Sequence, residues 1–523
     1  MCRASPSDAA GQDASSSSSS WAAALLEPLA DRQPVAPDGE LYNEDFAPVA
    51  SHPVSRRTFS LWDIAALWVG LVVCVPTYTL VGSLVDLGFS AVQGLGIILL
   101  GNSIVLVPMV LNAHGGTKYG VPFPVLARAA FGVRGANVPS MLRALVACGW
   151  FGIQTWVGAG AIHALLDSIT GGMLAAPPVP WLGISVPEAA CFLAFWGAQV
   201  AIIVRGIESI KVVEQYSAPI LIALSAALFA WAVTAVGGFG PMLDVPSAFA
   251  AGGPKAGQLW ATLLPALTAN IGFWATLSLN MPDFTRFAHT QRAQVLGQAV
   301  GLPLTMVAFS LVALVTTSAT VVLYGAPITD PVAVLARMGG VVPTAAGMVG
   351  LIVATLSTNI AANVVAPANA FVNISPRRIT FRLGGLITAV VGMLLCPWRL
   401  IGSTNGFIFV WLVGYSALLG PCAGIMLADY FLIRRRQLEV DALYSVSPVG
   451  SYHYTRGYNP AAMAALAIGV APNIPGFLHT AGALHPGLVP PFFVGLYSYA
   501  WFVGFGLASL AYLVLMRRVD HAR

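Results

Sequence analysis

Charged residues are scarce in this sequence. Only 9% of the 523 residues are Asp, Glu, Lys or Arg, whereas 57% are hydrophobic, and the mean hydropathy is +0.78. Water-soluble globular domains carry roughly 25% charged residues, so the composition excludes a soluble fold. The net charge of +4 is modest, and nothing in it indicates nucleic acid as a partner.

Paired cysteines and the common catalytic motifs are also missing. No metalloprotease helix, nucleophile elbow or phosphate loop occurs, so the sequence favours neither an enzyme nor a bound cofactor. The cysteines show no paired spacing and mostly lie in or beside apolar runs, which favours buried free thiols over disulfides or metal ligands. They are Cys2, Cys74, Cys148, Cys191, Cys396 and Cys422.

Long apolar runs, in contrast, fill most of the chain. Roughly 20 such residues cross a hydrocarbon core of about 30 Å as a helix, and only helices or closed barrels satisfy every backbone amide in lipid. Because the runs are continuously apolar rather than alternating, they indicate helices. The sequence predicts an all-α polytopic membrane protein with about twelve spans, at 61–85, 91–112, 139–166, 186–204, 212–237, 259–281, 296–324, 341–371, 379–397, 403–432, 460–480 and 490–515.

Three parts are predicted along the chain. Residues 1–55 carry a serine run, prolines and an acidic patch, and we interpret them as a mostly disordered tail. Residues 56–436 hold ten spans, and residues 437–523 hold two more and a short C-terminal tail. Basic residues concentrate in alternate loops, so the positive-inside rule places both termini in the cytoplasm. We expect an integral protein of the cell membrane, with an organelle envelope as the alternative.

Two spans contain helix-breaking residues. The first reads "LWVGLVVCVPTYTLVG", with Pro76 in its middle, and proline removes one ladder hydrogen bond. The sixth reads "LTANIGFWATLSLNMPDF", with Gly272 inside it and Pro282 at its end. Five spans separate the two interruptions, so they occupy corresponding positions in two five-helix halves. Such a pair is typical of the binding sites of secondary transporters, and two unrelated kinks are the alternative.

A third span carries large aromatic side chains and an amide. In "CGWFGIQTWVG", Trp150 and Gln154 are four residues apart and share one helix face, while Trp156 points away from them. An amide donates and accepts at once, which matches the –CO–NH– edge of a neutral heterocycle. Trp274, in the middle of the sixth span, could oppose Trp150 and enclose a flat ring. Helix packing is the alternative explanation for each residue taken alone.

The eighth span, "LIVATLSTNIAANVVAPANAF", is unusually polar for a membrane helix. Asn359 and Asn363 are four residues apart and share a face. Ser357 and Thr358 offer hydroxyl oxygens, which suit a small hard cation, and carbonyls freed between Leu71 and Val75 could complete a Na⁺ shell.

Acidic residues are absent from the span centres. Asp63, Asp283 and Asp429 lie near span ends, and insertion of a charge at the bilayer centre costs about 2.5–3.5 kcal/mol. A site without a central charge suits an uncharged substrate. It also favours Na⁺ over a proton carried by a carboxylate.

Several stretches resemble the nucleobase:cation symporter-1 family, which includes hydantoin, allantoin, uracil and cytosine permeases. They are "VPTYTLVGSLVDLG", "GTKYGVPFPVLARAAFGVRGANVPSMLRALVACGWFGIQTW", "GFWATLSLNMPDFTRFA", "ATLSTNIAANVVAPAN" and "ADYFLIRRRQ". The resemblance implies twelve helices in a LeuT-like five-plus-five inverted repeat, with helices 1 and 6 broken around a midplane site.

The resemblance also implies roles for individual residues. Trp150 and Trp274 become stacking residues, and Gln154, Asn359 and Asn363 become hydrogen-bonding ligands of the substrate. The Na⁺ site of sodium-coupled members maps to Leu71, Cys74, Ala354, Ser357 and Thr358. One departure is that the hydantoin-type first helix carries a glutamine near its break, whereas this chain reads "VVCVPT", which leaves the substrate and the carbonyl pair open.

These patterns together predict a cation symporter that imports a neutral planar nitrogen heterocycle such as uracil or allantoin. The coupling ion is expected to be Na⁺, with H⁺ as the alternative, and no obligate protein partner is indicated. A passive channel or a transporter-derived receptor for the same ligands is the main alternative function. An intramembrane enzyme is less well supported, because the eight histidines are scattered along the chain.

Overall fold

The computed structural model describes residues 28–29, 40–49, 57–205, 207–338, 341–400 and 406–521. Within these ranges the chain is helical and forms no β-strand, only two isolated bridges, Phe59 with Ala288 and Thr455 with Tyr458. The all-α prediction is therefore confirmed. Most of the predicted N-terminal tail lies outside the described residues.

The apolar runs form long helices. Eight segments of the described chain are long and apolar enough to cross a bilayer: Ala91–Tyr119, Asn137–Thr170, Val186–Arg205, Gln291–Tyr324, Thr344–Ile374, Gly406–Ile433, Pro460–Thr480 and Ala500–Arg517. A bent pair, Leu61–Val72 with Val75–Asp86, passes the same test as one unit. Shorter apolar helices cover Ile222–Val236, Leu259–Phe273 and Phe381–Leu394. The chain is thus a polytopic helical membrane protein, and a total of twelve spans stays a prediction.

We number the principal helices in chain order. They are α1 (Leu61–Val72), α2 (Val75–Asp86), α3 (Ala91–Tyr119), α4 (Phe123–Phe131), α5 (Asn137–Thr170), α6 (Val186–Arg205), α7 (Ile207–Val236), α8 (Leu259–Phe273), α9 (Ala275–Asn280), α10 (Gln291–Tyr324), α11 (Pro331–Arg337), α12 (Val341–Asn363), α13 (Val365–Ile374), α14 (Phe381–Leu394), α15 (Val413–Leu427), α16 (Pro460–Val470), α17 (Ile474–Thr480) and α18 (Ala500–His521). Single-turn helices cover Gly240–Leu243, Pro282–Thr285, Pro397–Leu400 and Val440–Leu443, with Pro491–Tyr497 before α18. π-helical turns at Gly406–Leu412 and Ala428–Ile433 flank α15.

Local sequence explains where several helices begin and end. Ser60 caps α1 in a capping box with Asp63, and Ser90 caps α3 in the same way. Gly120 ends α3 in the left-handed conformation, with φ of 71°, which glycine adopts without steric penalty. Such caps satisfy the terminal N–H and C=O groups that a helix leaves unpaired.

The breaks in the helices differ in position from the sequence prediction. α1 and α2 meet at an angle of 61°, but the break lies at Val73 and Cys74, and Pro76 sits in the first turn of α2. The reason is that the fixed φ of proline and its missing N–H suit a helix start. The second break falls at Trp274 rather than Gly272. A third, at Val364 between α12 and α13, was not predicted.

Glycines let other elements approach α5 closely. A Cβ at Gly149 would overlap the Trp411 ring, a Cβ at Gly152 would overlap the Gly392 carbonyl oxygen, and one at Gly158 would overlap Phe195. Neighbouring helices can therefore approach α5 at backbone distance around residues 149–158. The residues predicted to bind substrate on α5 lie within this tightly packed stretch.

Buried arginines bond several chain segments together on one side of the molecule. We call this side, which contains Arg57 and Arg128, the basic side. Arg57 donates to the carbonyl oxygens of Thr117 at 2.6 Å, Ala288 at 3.3 Å and Val49 at 3.3 Å. Part of the predicted tail packs here as well, because Phe46 is fully buried and its carbonyl accepts a hydrogen bond from the Tyr444 hydroxyl at 2.5 Å.

Arg128 on α4 is one of these arginines. It is fully buried and donates to the Leu443 carbonyl at 3.0 Å and to Asn373 Oδ1 at 2.6 Å. Burial lowers the pKa of its guanidinium to about 10, so the side chain stays charged at physiological pH and depends on these two acceptors. These contacts indicate a structural role for Arg128.

Candidate functional site

Trp150 lies at the centre of an aromatic cluster. Its ring centroid is 5.4 Å from that of Phe273, 6.0 Å from those of Phe407 and Trp411, and 6.4 Å from that of Tyr415, and all four contacts are edge-to-face. Edge-to-face pairs are a favoured aromatic geometry. The surrounding rings therefore hold the indole in one orientation, and only 5% of the residue is exposed.

Trp274 lies at the break between α8 and α9. Its ring contacts Trp68 of α1 at 5.2 Å and Phe273 at 4.9 Å between centroids, again edge-to-face. The indole Nε1 is buried and finds no hydrogen-bond partner within the described part of the chain. Buried polar groups are normally paired, so this N–H is available to a ligand.

Phe273 lies between the two tryptophans and contacts both. The sequence predicts that Trp150 and Trp274 face each other, and the structure instead joins them through this third ring. Phe273 is thus a site residue that sequence reasoning missed, although it directly precedes Trp274 and the same break positions both.

Gln154 follows Trp150 by one helical turn, as predicted. Its side chain is buried, and its Oε1 accepts no hydrogen bond from any residue that the structure describes. An unpaired buried acceptor costs about 1–3 kcal/mol, so a donor from a substrate would be stabilising here. Trp156 points away from this pair, and its ring packs on Trp398 at 5.7 Å.

Asn359 reaches the same part of α5, and Asn363 bonds to Asn359. Asn359 Nδ2 donates to the Phe151 carbonyl at 3.0 Å and to Gln199 Oε1 at 2.6 Å. Asn363 Nδ2 in turn donates to Asn359 Oδ1 at 2.9 Å. Asn359 is therefore engaged by protein groups at both its nitrogen and its oxygen, and of the two it is Asn363 whose oxygen is left without a partner among the described residues.

The residues predicted to bind Na⁺ gather where α12 meets the break in α1. Thr358 Oγ1 lies 3.4 Å from the Gly70 carbonyl, and Ala354 packs on Val73. Among described residues, no main-chain amide donates to the Leu71 carbonyl, whereas the Cys74 carbonyl accepts from Tyr78 N at 3.2 Å.

A small cavity adjoins this point. It has a volume of about 30 Å³, and Cys74, Ala354 and Thr355 contribute to its lining. The Thr355 hydroxyl is buried without a hydrogen-bond partner in the described chain. The rest of the lining is mostly apolar, with Val73, Leu228 and Phe309 among its residues, so the cavity itself is not a set of cation ligands.

A larger cavity lies along the part of α5 that follows Trp150, away from the start of α5, which adjoins α4 of the basic side. Its volume is about 440 Å³, and its lining includes Pro76 and Thr79 of α2, Ile153 and Trp156 of α5, and Phe407. Phe407 forms part of its wall and also packs on Trp150. The aromatic cluster therefore lies directly behind the cavity, and one ring separates the two.

Arg143 is a buried cation that sequence reasoning did not single out. It lies on α5 seven residues before Trp150, about 10 Å along the helix. Its Nε donates to the Thr276 carbonyl and to Asn280 Oδ1, each at 3.1 Å. These contacts tie α5 to α9 at the end of the aromatic cluster that lies towards the basic side.

Comparison with known sequences identifies similar proteins along nearly the whole chain. A family model described as permease for cytosine/purines, uracil, thiamine and allantoin matches residues 51–504. A purine-uracil permease of Arabidopsis thaliana is 48% identical over 482 residues, covering 92% of this chain and 79% of that protein. An allantoin permease of Bacillus subtilis is 39% identical over 480 residues, covering 91% and 93% respectively.

A solved structure shares the architecture. It is that of Mhp1, a nucleobase-cation-symport-1 family transporter in a closed conformation with bromovinylhydantoin bound. The TM-score is 0.74 at 25% identity, and the match covers 92% of this chain and 96% of that one. The fold is therefore that of a cation-coupled membrane transporter.

Proposed function

Because this chain belongs to the family of permeases for cytosine and purines, uracil, thiamine and allantoin, we propose that it imports a neutral planar nitrogen heterocycle together with a cation. The chain is a transporter rather than an enzyme, since permeases are what the family comprises. Uracil, allantoin and purines are the proposed substrates, because the names of the two permeases described above include those compounds.

The observation that carries this proposal is that aromatic rings and side-chain amides lie close together around the middle of α5. Trp150 and Gln154 occupy one face of α5. Asn359 donates to the Phe151 carbonyl of the same helix, and Asn363 donates to Asn359. Flat rings gain roughly 1–3 kcal/mol from each aromatic contact in nucleic-acid complexes. Micromolar binding corresponds to about −8 kcal/mol, so a few such contacts with amide hydrogen bonds are sufficient.

We propose Na⁺ as the coupling ion. Leu71 and Cys74 would contribute main-chain carbonyls at the break after α1. Ala354, Ser357 and Thr358 would contribute oxygens from α12, whose Thr358 already lies beside the Gly70 carbonyl. This donor set consists of hard oxygen ligands, and a proton is the alternative that the experiments below distinguish.

The proposed direction of transport follows from the two sides of the molecule. The basic side is proposed to face the cytoplasm, since basic residues favour that side. The cavity of about 440 Å³ would then face outwards and admit substrate. Both termini are accordingly proposed to be cytoplasmic, in the cell membrane or in the envelope of an organelle.

Counterflow in proteoliposomes tests the proposal. Vesicles preloaded with unlabelled uracil or allantoin should accumulate the labelled compound transiently above equilibrium, because a carrier exchanges substrate across the membrane. A channel would only equilibrate the label, and a receptor would bind it without exchange. Either of those results, with both compounds and in the presence of Na⁺, would reject symport.

A further inference from the structure

A chain of hydrogen bonds connects α6 to the site through buried amides. The Thr155 hydroxyl donates to the Phe151 carbonyl at 2.7 Å. Gln199 Nε2 donates to Thr155 Oγ1 at 2.9 Å, Asn359 Nδ2 donates to Gln199 Oε1 at 2.6 Å, and Asn363 Nδ2 donates to Asn359 Oδ1 at 2.9 Å. We call these four side chains (Thr155, Gln199, Asn359 and Asn363) the amide relay.

The direction of every bond in the amide relay follows from one main-chain group. A carbonyl oxygen can only accept, so the Thr155 hydroxyl must donate to Phe151 and its own oxygen must accept from Gln199. A reversed Gln199 would place two acceptors 2.9 Å apart. Asn359 is fixed twice, because its Nδ2 also donates to the Phe151 carbonyl at 3.0 Å. The oxygen and nitrogen of an isolated Asn amide can be assigned either way, and here the neighbouring donors and acceptors determine the assignment.

Only the last member of the amide relay is not completely buried. Thr155, Gln199 and Asn359 are each 0% exposed, whereas Asn363 retains 6%. Because its Nδ2 points to Asn359, its Oδ1 is the atom left without a hydrogen-bond partner in the described ranges. Asn363 thus presents a carbonyl oxygen on a fixed side of its amide.

We propose that Gln199 is a positioning residue that sets substrate specificity. By fixing Asn359, it fixes Asn363 with the carbonyl oxygen towards the substrate, and this oxygen selects a ring N–H at that position over a ring nitrogen that is methylated or accepts. The inference rests on the proposed function, since it names the substrate group that the same site reads. Gln199 itself does not touch substrate and acts through Asn359.

The first experiment measures discrimination between uracil and its two N-methyl derivatives. One of the two derivatives, 1-methyluracil or 3-methyluracil, should bind to purified wild-type protein at least about tenfold more weakly than uracil does. The reason is that methylation removes the N–H and leaves the buried Asn363 oxygen without a donor. Gln199→Leu should reduce this ratio by at least about threefold, because Asn359 then loses its shortest hydrogen bond, keeps only those to the Phe151 carbonyl and Thr155, and holds the Asn363 amide less firmly. An unchanged ratio in Gln199→Leu, or no discrimination by wild type, overturns the inference.

Gln298→Leu is the matched control. Gln298 is also a fully buried glutamine, and its Nε2 donates to Gln294 Oε1 at 2.7 Å on α10, outside the amide relay. This variant should keep the wild-type ratio even where its stability falls. A loss of discrimination equal to that of Gln199→Leu would mean that general destabilisation explains both, and would overturn the inference.

A second experiment needs no ligand, so its result does not depend on whether the proposed function is correct. Melting temperatures are measured for Gln199→Leu, Asn363→Ala and the double variant in detergent. If Gln199 and Asn363 are coupled through Asn359, the double variant should lower the melting temperature by less than the sum of the two single variants. For Gln298→Leu combined with Asn363→Ala, the two decreases in melting temperature should add. Additive shifts for both pairs would show that the amide relay does not connect Gln199 to Asn363.

Discussion

Thr358 and Asn359 are adjacent on α12 and bond two different helices. Thr358 Oγ1 lies 3.4 Å from the Gly70 carbonyl of α1, and Asn359 Nδ2 lies 3.0 Å from the Phe151 carbonyl of α5. One proposed cation ligand and one proposed substrate ligand thus share one helical turn. A shift of this turn on binding of one ligand would move a proposed ligand of the other site, which would couple the two binding free energies.

Removal of the Trp150 ring should weaken substrate binding. Trp150→Ala is expected to lower the affinity for uracil or allantoin by about tenfold to a hundredfold, since one stacking surface is worth roughly 1–3 kcal/mol. Trp150→Phe should retain part of the affinity. Isothermal titration of purified protein measures both, and Trp62→Ala, which removes a 73% exposed indole, is the control. Equal affinities in Trp150→Ala and Trp62→Ala would contradict the assignment.

Removal of the Thr358 hydroxyl should weaken Na⁺ coupling. Thr358→Ala is expected to raise the Na⁺ concentration for half-maximal uptake by about tenfold, because one oxygen ligand is lost from a site of few ligands. The matched control is Thr344→Ala on the same helix, whose hydroxyl donates to the Leu335 carbonyl at 3.2 Å. The Na⁺ assignment fails if both variants keep the wild-type Na⁺ dependence of labelled uptake.

A methyl group at Gly149 should disturb the aromatic cluster without touching the substrate. Gly149→Ala pushes against the Trp411 ring, which packs on Trp150, so we expect about 1–3 kcal/mol of destabilisation and weaker substrate binding. Gly160→Ala on the same helix meets nothing within 4 Å and should raise stability by about 0.5–1 kcal/mol. Thermal unfolding and ligand titration of the pair measure both effects, and equal behaviour of the two variants would contradict the packing account.

Arg128 should be needed for stability on the basic side. Arg128→Ala leaves the Leu443 carbonyl and Asn373 Oδ1 without their charged donor, at a cost of about 3 kcal/mol or more. Arg128→Lys should rescue only in part, because lysine lacks the planar fork that reaches both acceptors. The exposed Arg134 nearby supplies the control variant Arg134→Ala. A melting temperature for Arg128→Ala equal to that of Arg134→Ala would refute this role.

The sequence was sufficient to predict the fold class and the helix positions of several proposed site residues. Continuous apolarity predicts helices, and the spacing of Trp150 and Gln154 predicts their common face, because both signals are local. The break in the first span was predicted within a few residues, but its position depends on Pro76 starting α2 rather than interrupting a helix.

Contacts between distant helices could not be read from the sequence. Gln199 and Asn359 are 160 positions apart, and nothing in the local pattern around Gln199 distinguishes it from a residue that packs against lipid or another helix. The same applies to Phe273, whose place between two tryptophans follows from its ring contact with the distant Trp150 as well as with the adjacent Trp274. The roles of all the proposed substrate and cation ligands stay predictions, and the Trp150, Asn363 and Thr358 variants above test three of them.

Thermal-shift measurements with paired ligands test the central claim most directly. Purified protein is heated with uracil, allantoin and a panel of other heterocycles, each in Na⁺ and in choline, since a ligand stabilises the state it binds by mass action. We predict a rise in melting temperature for at least one planar neutral heterocycle that is larger in Na⁺ than in choline, and that is lost in Trp150→Ala. Shifts that are equal in the two salts, or that persist in Trp150→Ala, would contradict a coupled site built on these rings and amides.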